Sequence, residues 1–338
     1  MSDCSGRSFC FTLQFYGNMD RNIENNAATD DAKEYAVVSA FSKDGKGGNR
    51  AGIVCGGFSG GGAAKTEFAA RLGYSETVFA SDSDVADYRL EYFTPEGEVP
   101  LCGHATIAFF VYMLETGRIG PGHYVIETGA GLLGVDVEPD GMVFMEQARP
   151  EFLETVPPER LAGCFSPMPS RTEIVPRIVS TGLRDILLPV ASVAELDRMR
   201  MDREAVSSLS AELGCVGIHC FALCNAAGGE AFRPVNAFSG AAVSSEGCRV
   251  SSDKSFAGEF CTAVCRNFAP LYGIDEESAT GTSNCALACY LFKCGIRLRE
   301  YVFEQGRNLS SVSRIVVRLT TSGDEILSVR VGGRGYLL

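Results

Sequence analysis

The period of apolar positions changes repeatedly along this chain, and each change marks an element. Val37, Val38, Ala40 and Phe41 form an apolar stretch that predicts a first strand. Ser59-Gly60-Gly61-Gly62 interrupts the pattern as a loop. Thr66 to Leu72 then predicts a short helix ended by Gly73, and Tyr74 to Ala80 a further strand. Ile186 to Val190 predicts another short strand, with Pro189 marking its end or an edge position. Ser192 and Glu195 have the spacing of a capping box, and a helix is expected from about Asp202 to Leu213, closed by Gly214. His219 to Leu223 reads as strand, and the C-terminal stretches Ile315 to Leu319 and Leu327 to Leu338 are β-rich and interrupted by glycine. Residues 1–34 are polar and aperiodic apart from Phe9 to Tyr16 and read as a flexible leader. Asn236 to Gly258, rich in Gly, Ala and Ser, reads as a surface insertion.

Gly129-Ala130-Gly131-Leu132-Leu133-Gly134 matches the spacing of a dinucleotide-binding loop. A helix should follow it. Instead Val135-Asp136-Val137-Glu138-Pro139-Asp140-Gly141 alternates and then turns, the pattern of a β-hairpin.

One self-similarity stands apart from these local signals. Phe93-Thr94-Pro95 leads to Leu101-Cys102-Gly103-His104-Ala105, and Phe268-Ala269-Pro270 leads to Ala279-Thr280-Gly281-Thr282-Ser283. Apolar helical runs follow each glycine, Ala105 to Leu114 and Ser283 to Phe292, and Ala108 and Tyr112 in the first match Ala286 and Tyr290 in the second. The two glycines are 178 residues apart, so the chain reads as a duplicated half with a cleft between pseudo-twofold copies. Helices apolar nearly all round belong inside other structure. Their glycine turns leave free N–H groups that can hold a carboxylate or an enolate-like charge.

Charge narrows the partners. The net charge is −12 and no run of Lys and Arg occurs, which argues against nucleic acid and anionic membrane as partners while leaving room for a locally positive pocket. Fourteen cysteines raise the question of disulfides. The segment after Met1 lacks a basic region, an apolar stretch and a small-residue cleavage site, so reduced thiols in the cytoplasm are expected. Cys220/Cys224, Cys261/Cys265 and Cys285/Cys289 are spaced by four residues, unlike zinc knuckles, and read as buried small hydrophobes rather than metal ligands.

Phe93 through Thr106, with its Thr94-Pro95 and Cys102-Gly103-His104, resembles the signature of the phenazine-biosynthesis (PhzF-like) family. Tyr74-Ser75-Glu76-Thr77-Val78-Phe79 resembles its Ser-Glu-Thr motif, and Gly48-Asn49 its Gly-Asn-Pro segment, with Arg50 in place of proline. Glu277-Ser278-Ala279-Thr280-Gly281-Thr282-Ser283 resembles its C-terminal motif, with Glu277 where Asp is usual and Ser278 where Pro is usual. Ser180-Thr181-Gly182-Leu183 resembles a further family segment. The resemblance implies an α+β, diaminopimelate-epimerase-like fold of two pseudo-symmetric halves, each a β-barrel-like sheet wrapped around a central helix. Residues 35–155 would form the first half and 156–338 the second, the final strands being able to return to the first.

The resemblance also implies a cofactor-independent isomerase that uses no metal and acts on a small carboxylated molecule, with a homodimer as the family analogy. Glu76 would shuttle a proton as base and then acid, with His104 and Glu277 completing the catalytic set. Gly103, Ala105, Gly281, Thr282 and Ser283 would contact the substrate. Cys102 stands where related racemases carry one of two catalytic thiols, but its duplicate position is Thr280, so a two-thiol mechanism is disfavoured and Cys102 reads as packing. Two alternatives stay open: an epimerase using Glu76 with Glu277, and a non-catalytic ligand-binding protein on the same fold.

Overall fold

The computed structural model describes residues 35–170, 172–224 and 260–338, so the expected leader and the expected insertion at 236–258 lie outside the described residues. Within them run five α-helices: α1 Gly62–Leu72, α2 Gly103–Glu115, α3 Val193–Arg198, α4 Arg203–Leu213 and α5 Gly281–Lys293. Of the twenty strands described, eighteen hydrogen-bond into one continuous mixed sheet.

That sheet curls twice, once around each apolar helix. α2 packs against the strands Tyr35–Ala40, Asn49–Cys55, Glu76–Ser81, Val143–Gln147 and Gly335–Leu337. α5 packs against Arg177–Ser180, Arg184–Pro189, Ser313–Ser322 and Glu325–Gly333. This is the α+β, diaminopimelate-epimerase-like arrangement of two similar halves, each wrapped around a helix. Phe109, Phe110, Tyr290 and Leu291 are completely buried, and each such side chain contributes about 1.5–3 kcal/mol on leaving water. The two helices touch each other and share one hydrophobic core. The final strand, Gly335–Leu337, pairs antiparallel with Tyr35–Ala40.

The duplication holds residue by residue. Both helices begin on the repeated glycine, both are 13 residues long, and both end on matching caps, Thr116 and Cys294. Gly117 and Gly295 follow at φ 69° and 88°, the left-handed region open to glycine. Gly129-Ala130 is the two-residue turn of a hairpin between Gly122–Thr128 and Gly131–Val137, as the alternation predicts.

Four local expectations shift. α1 begins at Gly62 rather than Thr66, because Phe68 and Ala69 bury against Phe79 and Phe93 and hold the preceding turn helical despite its glycines. The following strand begins at Glu76 rather than Tyr74, since the left-handed cap at Gly73 (φ 71°) spends two further residues in turning. Pro189 ends its strand but is no edge marker: Arg184–Pro189 pairs with Arg177–Ser180 on one side and Gly217–Leu223 on the other. Ser192 caps α3 by accepting from Glu195 N, whereas the Glu195 carboxylate reaches Ser170 N at 2.6 Å instead of closing the box. Among the described residues no helix is long and apolar enough to cross a membrane.

Candidate active site

Three neighbouring segments of the first half supply the site. Glu76 opens its strand and pairs in parallel register with Ala51, two residues beyond Asn49. α2 lies across both strands and puts His104, its second residue, above their mouths. The second half brings Ile274–Glu277 and the turn into α5 to the same place.

His104 is the hub. Its Nε2 lies 3.2 Å from Glu76 Oε2 and 3.4 Å from Ser75 Oγ. Its Nδ1 lies 3.4 Å from Cys102 Sγ and 4.0 Å from Glu277 Oε1. Asn49 ties the halves together, its amide donating to Glu277 Oε1 at 3.1 Å and to the Ala279 carbonyl at 3.2 Å. Those two bonds use both amide hydrogens, so its 3.3 Å approach to His104 Nδ1 is a packing contact. Thr280 Oγ1 donates to Glu277 Oε2 at 2.6 Å, and Gln305 holds that turn by donating to the Glu277 carbonyl at 2.8 Å and to Thr280 Oγ1 at 3.0 Å.

The three charges set one another. Burial alone would push His104 down, but the Cys102 thiol and the Glu76 carboxylate outweigh it and hold the imidazole well above its ordinary range. Burial pushes Glu76 up, and the His104 charge more than reverses that, so Glu76 is held below the usual carboxylate range. Glu277 goes the other way. Burial, reinforced by the Glu76 charge and opposed by His104, raises it to about 7. One carboxylate ready to accept a proton and one poised to give it thus flank a single imidazolium. Their side chains are 15% and 18% exposed, so both stay reachable. Glu76 Oε2 faces that imidazole and is itself buried, so the exposed part of the carboxylate lies elsewhere on the side chain.

The residues expected to bind substrate divide. Gly103 and Gly281 open their helices as expected, and neither first turn carries an acidic side chain to repel an anion. Neither glycine is needed by the fold: neither has a positive φ, and an added Cβ would make only ordinary contacts, with Met145 at 3.8 Å and Val331 at 3.4 Å. Ala105 is completely buried in the core, so its side chain does not line the site. Thr282 is half-buried, and its carbonyl accepts from Thr181 Oγ1 at 3.0 Å. Ser283 turns away from the two glutamates and donates to Asp185 Oδ2 at 2.7 Å. Cys102 does more than pack: its thiol rests on the central imidazole.

Sequence reasoning missed Asp185. It is 1% exposed, its Oδ1 has no partner, and burial raises it to about 7 despite the Ser283 hydroxyl. An acidic residue within the otherwise apolar run Ile186 to Val190 and its lead-in was the available signal.

The group of described residues able to offer a metal three ligands is Glu76, Cys102 and His104, whose ligand atoms lie within 4.8 Å of one another, and none of the cysteine pairs. The imidazole's strong hold on its proton opposes that use, because a metal must displace it.

Known proteins share this architecture. The family described as "Phenazine biosynthesis-like protein" matches residues 38–338. The "Uncharacterized isomerase YfhB" of Bacillus subtilis (strain 168) is 28% identical over 301 residues, covering 87% of this chain and 92% of that protein. Among solved structures, the Bacillus anthracis phenazine biosynthesis protein of the PhzF family superposes with a TM-score of 0.73 at 24% identity, covering 90% of this chain and 97% of the other. A predicted epimerase from Pseudomonas aeruginosa, PA4716, gives a TM-score of 0.67 at 24% identity, covering 90% and 96%.

Proposed function

This chain belongs to the phenazine biosynthesis-like family and is an isomerase, and from that premise we propose that it moves a proton on a small carboxylated substrate, with Glu76 as the base. The observation that carries this is the contact between Glu76 and His104, 3.2 Å apart at Oε2 and Nε2, in which a buried imidazole keeps a partly exposed carboxylate ionised.

In this reading the substrate carboxylate sits on the first-turn N–H groups of α2 and α5, which have no partners within their own helices. That fixes the C–H bond against Glu76. Glu76 takes the proton, and the charge left on the substrate is held by the same N–H groups and by His104. Glu76 then returns the proton to another atom on the same face. No cofactor is required for these steps.

A second reading has its own observation. Glu277, raised to about 7 on the far side of His104, is suited to give a proton that Glu76 did not take. Acting in that way, the pair would invert a stereocentre instead of shifting a double bond.

Small carboxylates incubated with the enzyme in deuterated water separate these readings. Deuterium entering with a shifted double bond and no racemisation supports the first; deuterium at an inverted centre supports the second. A Glu76→Gln enzyme that still exchanges deuterium at the wild-type rate would overturn both.

A further inference from the structure

Among the described residues three cysteines are not fully buried, Cys55, Cys224 and Cys261, and the last two lie together. Cys220, Cys265, Cys285 and Cys289 are completely buried, but Cys224 and Cys261 are only partly buried. They are adjacent in space through the sheet. The strand Gly217–Leu223 pairs antiparallel with Ala263–Ala269, with Leu223 opposite Ala263, and one residue further on Cys224 N donates to the Thr262 carbonyl at 3.0 Å. The Cys261 thiol donates to the Ala263 carbonyl at 3.2 Å, and Cys224 and Cys261 pack on the same hydrophobic cluster.

We propose that Cys224 and Cys261 form a redox-modification site, a dithiol that peroxides convert to a disulfide across this strand pair. The roles of the two sulfurs differ. The Cys261 S–H donates to the Ala263 carbonyl and so keeps its proton, while the neighbouring Cys261 draws the Cys224 thiol below its ordinary range. Cys224 is therefore the nucleophile. Its thiolate attacks one peroxide oxygen, the O–O bond breaks, and the departing hydroxide takes a proton to become water, leaving a sulfenic acid on Cys224. The Cys261 sulfur then attacks the Cys224 sulfur; the S–S bond forms, the S–O bond breaks, and the hydroxyl leaves as water with the Cys261 proton. Two thiols lose two electrons and the peroxide gains them. The bond pins the entry of a strand whose Asn267 pairs with Glu277.

The full-length chain, reduced, desalted and treated with graded hydrogen peroxide, is denatured, alkylated and mapped by mass spectrometry. Cys224 and Cys261 should lose their label together, at doses that leave Cys265, Cys285 and Cys289 fully labelled. The linked peptides should weigh two hydrogens less than the reduced pair, and dithiothreitol should restore both thiols. In Cys261→Ser, Cys224 should accumulate as a sulfenic acid that dimedone traps; in Cys224→Ser, Cys261 should stay labelled. The wild-type map decides the matter even where a variant folds poorly. Retention of label on both thiols while buried cysteines oxidise, or a Cys224 disulfide to any cysteine other than Cys261, overturns the proposal.

Discussion

The turn into α2 and the turn into α5 have nearly the same backbone and different chemistry. Cys102 and Thr280 precede their helices in the same extended conformation, with φ/ψ of −142°/116° and −126°/99°. Neither side chain caps its own helix. Cys102 leans on His104, and Thr280 hydrogen-bonds Glu277. Four residues on, Thr106 Oγ1 bonds the Cys102 carbonyl at 2.8 Å and Asn284 Nδ2 the Thr280 carbonyl at 2.9 Å. His104, however, has Thr282 as its counterpart, so the imidazole exists once.

The strands beneath diverge as well. In the first half Ala51 pairs with Glu76; the matching parallel pair of the second half is Asp185 with Gly217. No side chain fits at Gly217, where a Cβ would fall 1.9 Å from the Phe268 carbonyl. The second half therefore has no copy of Glu76, and its nearest acid, Asp185, lies one strand over. A repeated scaffold preserves the anion-holding turns, which are backbone, while each half is free to change its side chains. That is why Glu76 and Glu277, from non-equivalent positions, share one histidine.

The largest effect should come from breaking the asymmetric side. Glu76→Gln is nearly isosteric and should lower turnover by about 10² or more while leaving ligand binding intact. Cys102→Ala should cost far less, since Thr280 is no partner thiol. Steady-state kinetics on the deuterium-exchanging substrate check the order, and the reverse order revives a thiol mechanism.

Next in size are the buried carboxyls of the other side. Glu277 titrates near 7 in the folded chain against an ordinary 4.5, and Asp185 near 7 against 3.8. Between those values the folded protein keeps protons that the unfolded chain has released. Their favourable contribution is complete below the unfolded values and is lost as pH rises through about 7. Glu277→Gln and Asp185→Asn should therefore be more stable than wild type at pH above that window, by something of order 1–3 kcal/mol each, and show no such advantage in acid. Urea melts at several pH values read this directly. An advantage that grows as pH falls contradicts the assignment.

Smaller still is the expected effect of filling the turns. Gly103→Ala and Gly281→Ala should shift stability by about 1 kcal/mol or less, because the protein itself leaves room for the methyl. Carboxylate binding, followed by calorimetry, should weaken in both if the glycines serve close approach of a ligand. The smallest effect belongs to a chelator: the melting temperature should be unchanged by it, and elemental analysis of the purified chain should find less than one zinc or iron per molecule.

Much of the fold was legible beforehand for a physical reason. Helix and strand periods, glycine caps and the duplicated turns are local or repeated patterns, so α2, α5, the 129–134 hairpin and α4 could be read directly. The same pattern made His104 a candidate, and the family resemblance pointed to Glu76 and Glu277. α1 was misjudged at its start because tertiary burial of Phe68 overrode the propensity of its glycines. Asp185, the bridging role of Asn49 and the contact between Cys224 and Cys261 had no periodic signal, since each depends on residues far apart in the chain.

By itself, then, the order of residues determined most of the elements and their doubling, because backbone conformation follows largely from local chemistry. Only the tertiary structure decided the protonation states. A carboxylate's affinity for its proton depends on how much water it has lost and on what charge stands within a few ångströms. Those neighbours, Glu76 and Glu277 on either edge of His104, come from opposite halves of the chain and meet only when the sheet has closed around both helices.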